Sequence, residues 1–225
     1  MKVGFIGLGI MGRPMAKNLL NAGVELVVSD LNTEAVNELV SLGAEAGTYE
    51  QIGQKCDIIL TILPNGKIVQ DVLFGESGVS KTLTAGKLVC DMSSVTPTES
   101  KTCYSKLKEL GVGFVDAPVS GGEPGAIAGS LAIMCGGDEK DFDALQEIFG
   151  ILGNSSLLIG PSGSGSVTKL ANQIIVNLGI ATVSEALVLA TKAGADPMKV
   201  YKAIRGGLAG SAVLDAKAPM MCARN

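Results

Sequence analysis

Short apolar runs alternate with helical patterns through the first two-thirds of the chain. VGFIG, ELVVSD, DIILTIL and KLVCDMS read as strands, and PMAKNLLNAG and EAVNELVSLG carry their apolar residues at helical spacing, with Gly, Asn and Asp as punctuation. Alternation of this kind predicts a parallel sheet. Ile58 to Leu63 is apolar at nearly every position, which fits a doubly wound sheet with helices on both faces. FVDAPVSGG, LAIMCGG and SLLIG read as further strands or strand ends, with DEKDFDALQEIFGIL as a helix between them.

From Gly163 the strand signal stops, and SGSGSVTKLANQIIVNLGIATVSEALVLATKAG is helical throughout. The spacing therefore predicts a Rossmann-type α/β domain over 1–162 and an all-helical domain over 163–225. Asp196 reads as an N-cap and Pro197 as the first residue of a helix toward Arg205, which Gly206 and Gly207 close. No closing pattern follows Pro219, so the helical domain reads as incomplete. Ile174 to Ala190 is apolar enough to suggest a membrane span, but Asn177, Gly179, Ser184 and Glu185 interrupt it. A buried or intersubunit helix is the expectation.

Composition narrows the chemistry. The 225 residues are 47% hydrophobic, which excludes disorder, and 30 glycines are nearly twice the usual share of about 7%, so many tight turns or close backbone approaches are expected. A net charge of −4 without a Lys/Arg cluster argues against nucleic acid or an anionic membrane as partner and favours small ligands. Five cysteines, an odd number without CxxC spacing, are expected to be buried, reduced thiols of a cytoplasmic protein. The start MKVGFIGLGIMG offers a strand where a secretory leader would need a cleavable apolar region. There is no histidine, which removes Ser-His and Cys-His nucleophiles and the commonest metal ligand. No metal is expected, and any acid or base must be Lys, Asp, Glu, Tyr or Cys.

Gly7-Leu8-Gly9-Ile10-Met11-Gly12 follows the first strand and opens a helix from about Arg13 to Ala22, the context that gives G-x-G-x-x-G its meaning. The first glycine permits the turn, the second lets backbone N–H groups approach a pyrophosphate, and the third lets helix and strand pack closely. Asp30 ends the next strand, where a carboxylate accepts from the adenosine ribose hydroxyls and repels a 2′-phosphate; it also reads simply as a capping Asp. No Lys or Arg lies between Lys17 and Lys55. NAD(H) is thus favoured, with NADP(H) as the alternative.

In Asp116-Ala-Pro-Val-Ser-Gly-Gly122, Ser120 and the bare amides of Gly121 and Gly122 at a strand end can hold a carboxylate, although a plain glycine turn would look the same. Lys169 and Asn172 share one helical face among Val167, Leu170, Ala171 and Ile174. A partly desolvated lysine there can release its proton near neutrality, whereas a snorkelling one stays a surface cation.

GFIGLGIMGRPMAKNL, LPN at 63–65, DMSS at 91–94, DAPVSGGEPGAIAGSL at 116–131 and GSVTKLANQ at 165–173 together resemble the β-hydroxyacid dehydrogenase family. The resemblance implies that Lys169 is the catalytic acid/base, that Asn172 orients the substrate, and that Ser120, Gly121 and Gly122 hold its carboxylate. It also places Leu63, Pro64, Asn65 and Ser94 against the cofactor; a strand-ending Pro64, and Ser94 as an N-cap ahead of Pro97, are compatible local readings. The implied activity is reduction of a small 2- or 3-oxo acid by hydride from NADH. The stretch 203–221 favours tartronate semialdehyde, giving glycerate. The alternatives are an enzyme of the 3-hydroxyisobutyrate type, or a catalytically weak dinucleotide-binding module, since the family continues with further helices. A homo-oligomer formed through the helical domain is also implied.

Overall fold

The computed structural model describes residues 1–223, which form two compact units, Met1–Lys169 and the chain from Leu170 onward. In the first unit β1 (Lys2–Ile6), α1 (Gly12–Asn21), β2 (Glu25–Ser29), α2 (Thr33–Ser41), β3 (Glu45–Ala46), α3 (Tyr49–Lys55), β4 (Ile58–Thr61), α4 (Gly66–Phe74), β5 (Leu88–Asp91), α5 (Pro97–Glu109) and β6 (Gly113–Asp116) alternate along the chain. Their six strands lie parallel in the order β3-β2-β1-β4-β5-β6, so the order reverses beside β1. Ligands bind outside the strand C-termini at such a switch point.

β7 (Val119–Ser120), α6 (Gly122–Ala128), β8 (Leu131–Gly137), α7 (Glu139–Asp143), α8 (Gln146–Leu152) and β9 (Gly153–Gly160) follow. β8 runs antiparallel to β6 and β7, and β9 parallel to β8. The fold is the mixed α/β arrangement, mostly parallel, that the apolar pattern predicts.

Alternation along the strands fills one core on each face of the sheet. Val3 and Phe5 join Met15, Leu19, Leu39 and Phe149 on one face. Ile6 joins Ile52, Ile59, Leu73, Leu107 and Phe114 on the other. Gly4 leaves room for α3, since a Cβ there would fall 2.4 Å from Ile52 Cγ2. Helix starts are fixed by side chains: Thr48 with Gln51 and Thr96 with Glu99 form capping boxes, and Asn32 caps α2.

Several boundaries differ from the sequence pattern. β4 ends at Thr61, so Leu63 lies beyond the strand rather than in it. The segment read as one helix after β8 is two, α7 and α8, parted at Ala144 and Leu145. The cap ahead of Pro97 is Thr96, not Ser94, because only Thr96 lies three residues before the Glu99 that returns the hydrogen bond. Four cysteines are buried, but Cys222 is only half-buried. Burial pushes the Cys56 thiol up to about 11 and those of Cys103 and Cys135 up to about 12.

α9 (Ser164–Lys192) starts in the first unit and continues into the second, where α10 (Pro197–Ile204) and α11 (Ala212–Ala223) follow. Asp196 caps α10 as expected. α11 is an addition: Pro219 lies inside it, and a proline within the pattern hides the helix from a periodicity argument. Val183 and Leu187 of α9 pack with Tyr201, Leu214 and Ala218, and Asp215 accepts from both the Tyr201 hydroxyl and Arg205. Of the two expectations for Ile174 to Ala190, a buried or an intersubunit helix, burial within the chain does not hold over most of the stretch. Ile174, Ile175, Leu178 and Leu189 are all more than 60% exposed. By length and composition alone α9 could cross a membrane.

Candidate active site

The G-x-G-x-x-G loop connects β1 to α1 with each glycine under a different constraint. Gly7 has φ +101°, and a Cβ there would lie 2.2 Å from the Ile62 carbonyl oxygen. Gly12 packs still more closely, 1.9 Å from the Gly7 carbonyl oxygen by the same construction. Gly9 has no protein atom within 4 Å of its Cβ position, so packing does not require a glycine there. An exposed bare amide at the N-terminal end of a helix is what close approach of a diphosphate requires, so the loop fits a dinucleotide. Leu8 is buried, Ile10 is 64% exposed and Met11 is half-buried.

Asp30 stands just past β2. Its Oδ2 accepts from the Leu8 N–H at 2.5 Å and its Oδ1 from the Asn32 N–H at 2.7 Å. The carboxylate thus ties the glycine loop to the turn before α2, and the helix cap is Asn32, not Asp30. Carboxylate oxygens accept more than one hydrogen bond, so lone pairs remain on the half-exposed group. Asp30 also borders a cavity of about 630 Å³ that Leu31, Tyr49, Lys81 and Thr82 help to line. Arg13 and Lys17, the cations nearest in sequence, are both paired with Glu38.

At the ends of β4 and β5 a buried network holds two further loops. Asp91 Oδ1 accepts from Thr61 Oγ1 at 2.8 Å and from the Ser93 N–H at 3.1 Å, and Ser93 Oγ accepts from the Leu63 N–H at 2.8 Å. Burial pushes the Asp91 carboxyl up to about 6 against the opposing pull of these hydrogen bonds. Leu63 is half-buried, and Pro64 and Asn65 are exposed. Asn65 caps α4 by accepting from Ile68, and Ser94 is exposed beside the network. The Thr61, Asp91 and Ser93 roles escaped the sequence reading. The available signal was a charged residue closing an apolar strand, as at Asp91 and at its register partner Asp116.

Beyond β6 the chain passes through Ala117 and Pro118 to Val119 and Ser120. Gly121 and Gly122 have φ of +141° and +62°, values that favour glycine, and both are exposed at the start of α6. Lys169 Nζ donates to the Val119 carbonyl oxygen at 2.7 Å, which brings the amine to the residue adjoining Ser120. Lys169 is half-buried and its pKa lies below the ordinary lysine value because of desolvation. Its apolar sequence neighbours do not supply that burial: Val167, Leu170 and Ile174 are each at least half exposed. Asn172, in the helical unit, is half-buried and donates to Gln173 Oε1 at 3.1 Å. No cluster of metal-ligating side chains occurs among the described residues.

Residues 2–160 match the family model for the NAD-binding domain of 6-phosphogluconate dehydrogenase, and 163–225 that for the NAD-binding region of NADP-dependent 3-hydroxyisobutyrate dehydrogenase. The chain is 48% identical to 2-hydroxy-3-oxopropionate reductase of Escherichia coli, over all of this chain and 77% of the relative. It is 39% identical to 2-(hydroxymethyl)glutarate dehydrogenase of Eubacterium barkeri, over 96% of this chain and 72% of that one. The crystal structure of 3-hydroxyisobutyrate dehydrogenase from Salmonella typhimurium superposes with a TM-score of 0.90 at 27% identity, covering 100% of this chain and 79% of that chain.

Fold, glycine loop and family matches together define an oxidoreductase built on a nicotinamide-dinucleotide domain. More narrowly, the chain belongs to the β-hydroxyacid dehydrogenase family, of the 3-hydroxyisobutyrate dehydrogenase type.

Proposed function

We propose that this protein reduces tartronate semialdehyde to glycerate with NADH. The observation that carries the reading is the hydrogen bond from Lys169 to Val119, which holds an amine of lowered pKa at the residue that precedes Ser120, Gly121 and Gly122 in the chain. The 48% identity to a 2-hydroxy-3-oxopropionate reductase supports the choice of substrate.

In this reading residues 1–162 bind the dinucleotide, and 163–225 complete the substrate site and the subunit contact. Gly7, Leu8, Gly9, Ile10, Met11 and Gly12 cradle the diphosphate, Asp30 accepts from the adenosine ribose, and Leu63, Pro64, Asn65 and Ser94 flank the nicotinamide half. A reduced nicotinamide held there would supply the hydride. Ser120 and the amides of Gly121 and Gly122 hold the substrate carboxylate, and Asn172 orients it, which fixes the carbonyl for reaction. Lys169 donates a proton to the developing alkoxide, a transfer favoured by the desolvation that lowers its pKa. Asp30 repels a 2′-phosphate and Glu38 engages both Arg13 and Lys17, which supports a preference for NADH over NADPH. The exposed apolar residues of α9 support assembly into a homo-oligomer.

The test is the initial rate of NADH oxidation with tartronate semialdehyde, followed by absorbance against a control without substrate. A saturable rate well above that with 3-hydroxyisobutyrate and NAD⁺ in the reverse direction is expected. A preference for 3-hydroxyisobutyrate would overturn the choice of substrate, and NADH binding without turnover of either would overturn the catalytic reading.

A further inference from the structure

The start of α9 lacks a cap of its own. Gly163 precedes the first helical residue with φ +91°, and a Cβ there would come 3.0 Å from Lys101 Cε and 3.2 Å from the Pro97 carbonyl oxygen. No capping side chain is available at that position. Asp116, at the end of β6, supplies one instead. Its Oδ1 accepts from the Gly163 N–H at 2.6 Å, with Ser162 Oγ at 3.4 Å, and its Oδ2 accepts from the Ser166 N–H at 2.9 Å. These are helix-start donors, for which a carboxylate is the favourable partner.

The contact is close on every side. A Cβ on Gly165 would fall 2.3 Å from the Met134 carbonyl oxygen in mid-β8 and 2.5 Å from that of Asp116 at the end of β6, so the helix backbone rests directly on these two strands. Ser166 Oγ meets Ser100 Oγ of α5 at 2.9 Å, both buried. Three residues after Ser166, Lys169 reaches the carbonyl of Val119, itself three residues after Asp116. Residues 116–119 therefore grip residues 163–169 at both ends.

We propose that Asp116 is a positioning residue for Lys169: as an N-cap delivered from β6, it sets the rotation and depth of the first turns of α9 and so the placement of the lysine amine. The proposal rests on the proton-donor reading of Lys169. Asp116 touches neither substrate nor cofactor in it. Displacing a catalytic group by about 1 Å costs on the order of 10²-fold, which sets the scale of the effect.

The experiment uses the full chain with NADH and tartronate semialdehyde. Asp116→Asn is expected to lower kcat roughly 10- to 100-fold while the Kd for NADH stays within about twofold. Added to Lys169→Ala, the same substitution is expected to cost less than about twofold more, because a residue acting through the lysine has nothing left to position. Independently of turnover, the ¹³Cε signal of Lys169, assigned with Lys169→Arg, should titrate closer to the ordinary lysine value in Asp116→Asn. If Asp116→Asn does not fold, Asp116→Glu, which keeps the charge and displaces it, carries the same readouts with a smaller loss.

Unchanged titration of Lys169, or losses that multiply fully in the double variant, would overturn the positioning role. Wild-type turnover by Lys169→Ala would instead overturn the proton-donor reading. An inactive Lys169→Ala beside an unaltered Asp116→Asn would overturn the positioning role alone.

Discussion

Lys169 and Val119, fifty residues apart, are joined by one hydrogen bond of 2.7 Å from ammonium to carbonyl oxygen. That bond draws the lysine side chain toward the end of the sheet. A snorkelling side chain would lie along α9 with its head in water, whereas this one turns inward to the strand segment that leads into Ser120.

Lys169→Ala is expected to reduce turnover by about 10²–10⁴, the range for loss of a general acid, with NADH affinity nearly unchanged. Steady-state rates alongside fluorescence titration of NADH check both halves. Equal losses in turnover and NADH binding would contradict the role.

Gly9→Ala and Gly12→Ala should separate binding from folding. A methyl on Gly9 meets no protein atom within 4 Å, so thermal stability is expected to stay within a degree or two of wild type while NADH binding weakens at least about tenfold. A methyl on Gly12 would sit 1.9 Å from the Gly7 carbonyl oxygen, so that variant should lose stability and binding together. Thermal melts paired with NADH titration read the contrast.

Asp30→Ala removes the acceptor of the Leu8 and Asn32 N–H groups as well as a negative charge. NADH affinity is expected to fall by about 10- to 100-fold, the scale of a hydrogen bond to a charged group. NADPH affinity should fall less, narrowing the preference. Parallel titrations with the two cofactors test this, and an undiminished preference would assign discrimination elsewhere.

The Asp91 carboxyl, raised in the fold from 3.8 to about 6, makes stability depend on pH. Between those values the folded protein binds more protons than the unfolded chain, so this group favours folding at low pH. Its contribution is lost as pH rises from about 4 to about 6, by about 3 kcal/mol at 1.36 kcal/mol per unit. Asp91→Asn should remove that component. Urea melts across the window, read as the difference between wild type and variant, are expected to show the variant gaining relative stability toward pH 6.

Much of this was legible in the chain because one kind of regularity repeats. Apolar strands alternating with amphipathic helices specify the parallel half of the sheet, and Gly7, Gly9 and Gly12 fall where strand meets helix. What escaped depends on residues remote in sequence. Asp116 shows its purpose only when Gly163 and Ser166 are brought to it, and Asp91 only when Thr61 and Ser93 are. Short elements such as β3 and α6 are set by packing and glycine geometry rather than by periodicity, and Pro219 masks α11. The apolar stretch from Ile174 illustrates a different limit, since hydrophobicity predicts that a surface will be covered and not by what.

The distribution of thiols has a practical consequence. Four of the five sit in the sheet unit beneath fully packed cores, and burial disfavours their reactive thiolate form. Cys222, on α11, alone has partial access to solvent. A maleimide dye or spin label added to the native protein should therefore attach at one defined place, with no cysteine needing to be engineered away first. The helical unit thus carries its own reporter position, remote in sequence from every residue assigned to the chemistry.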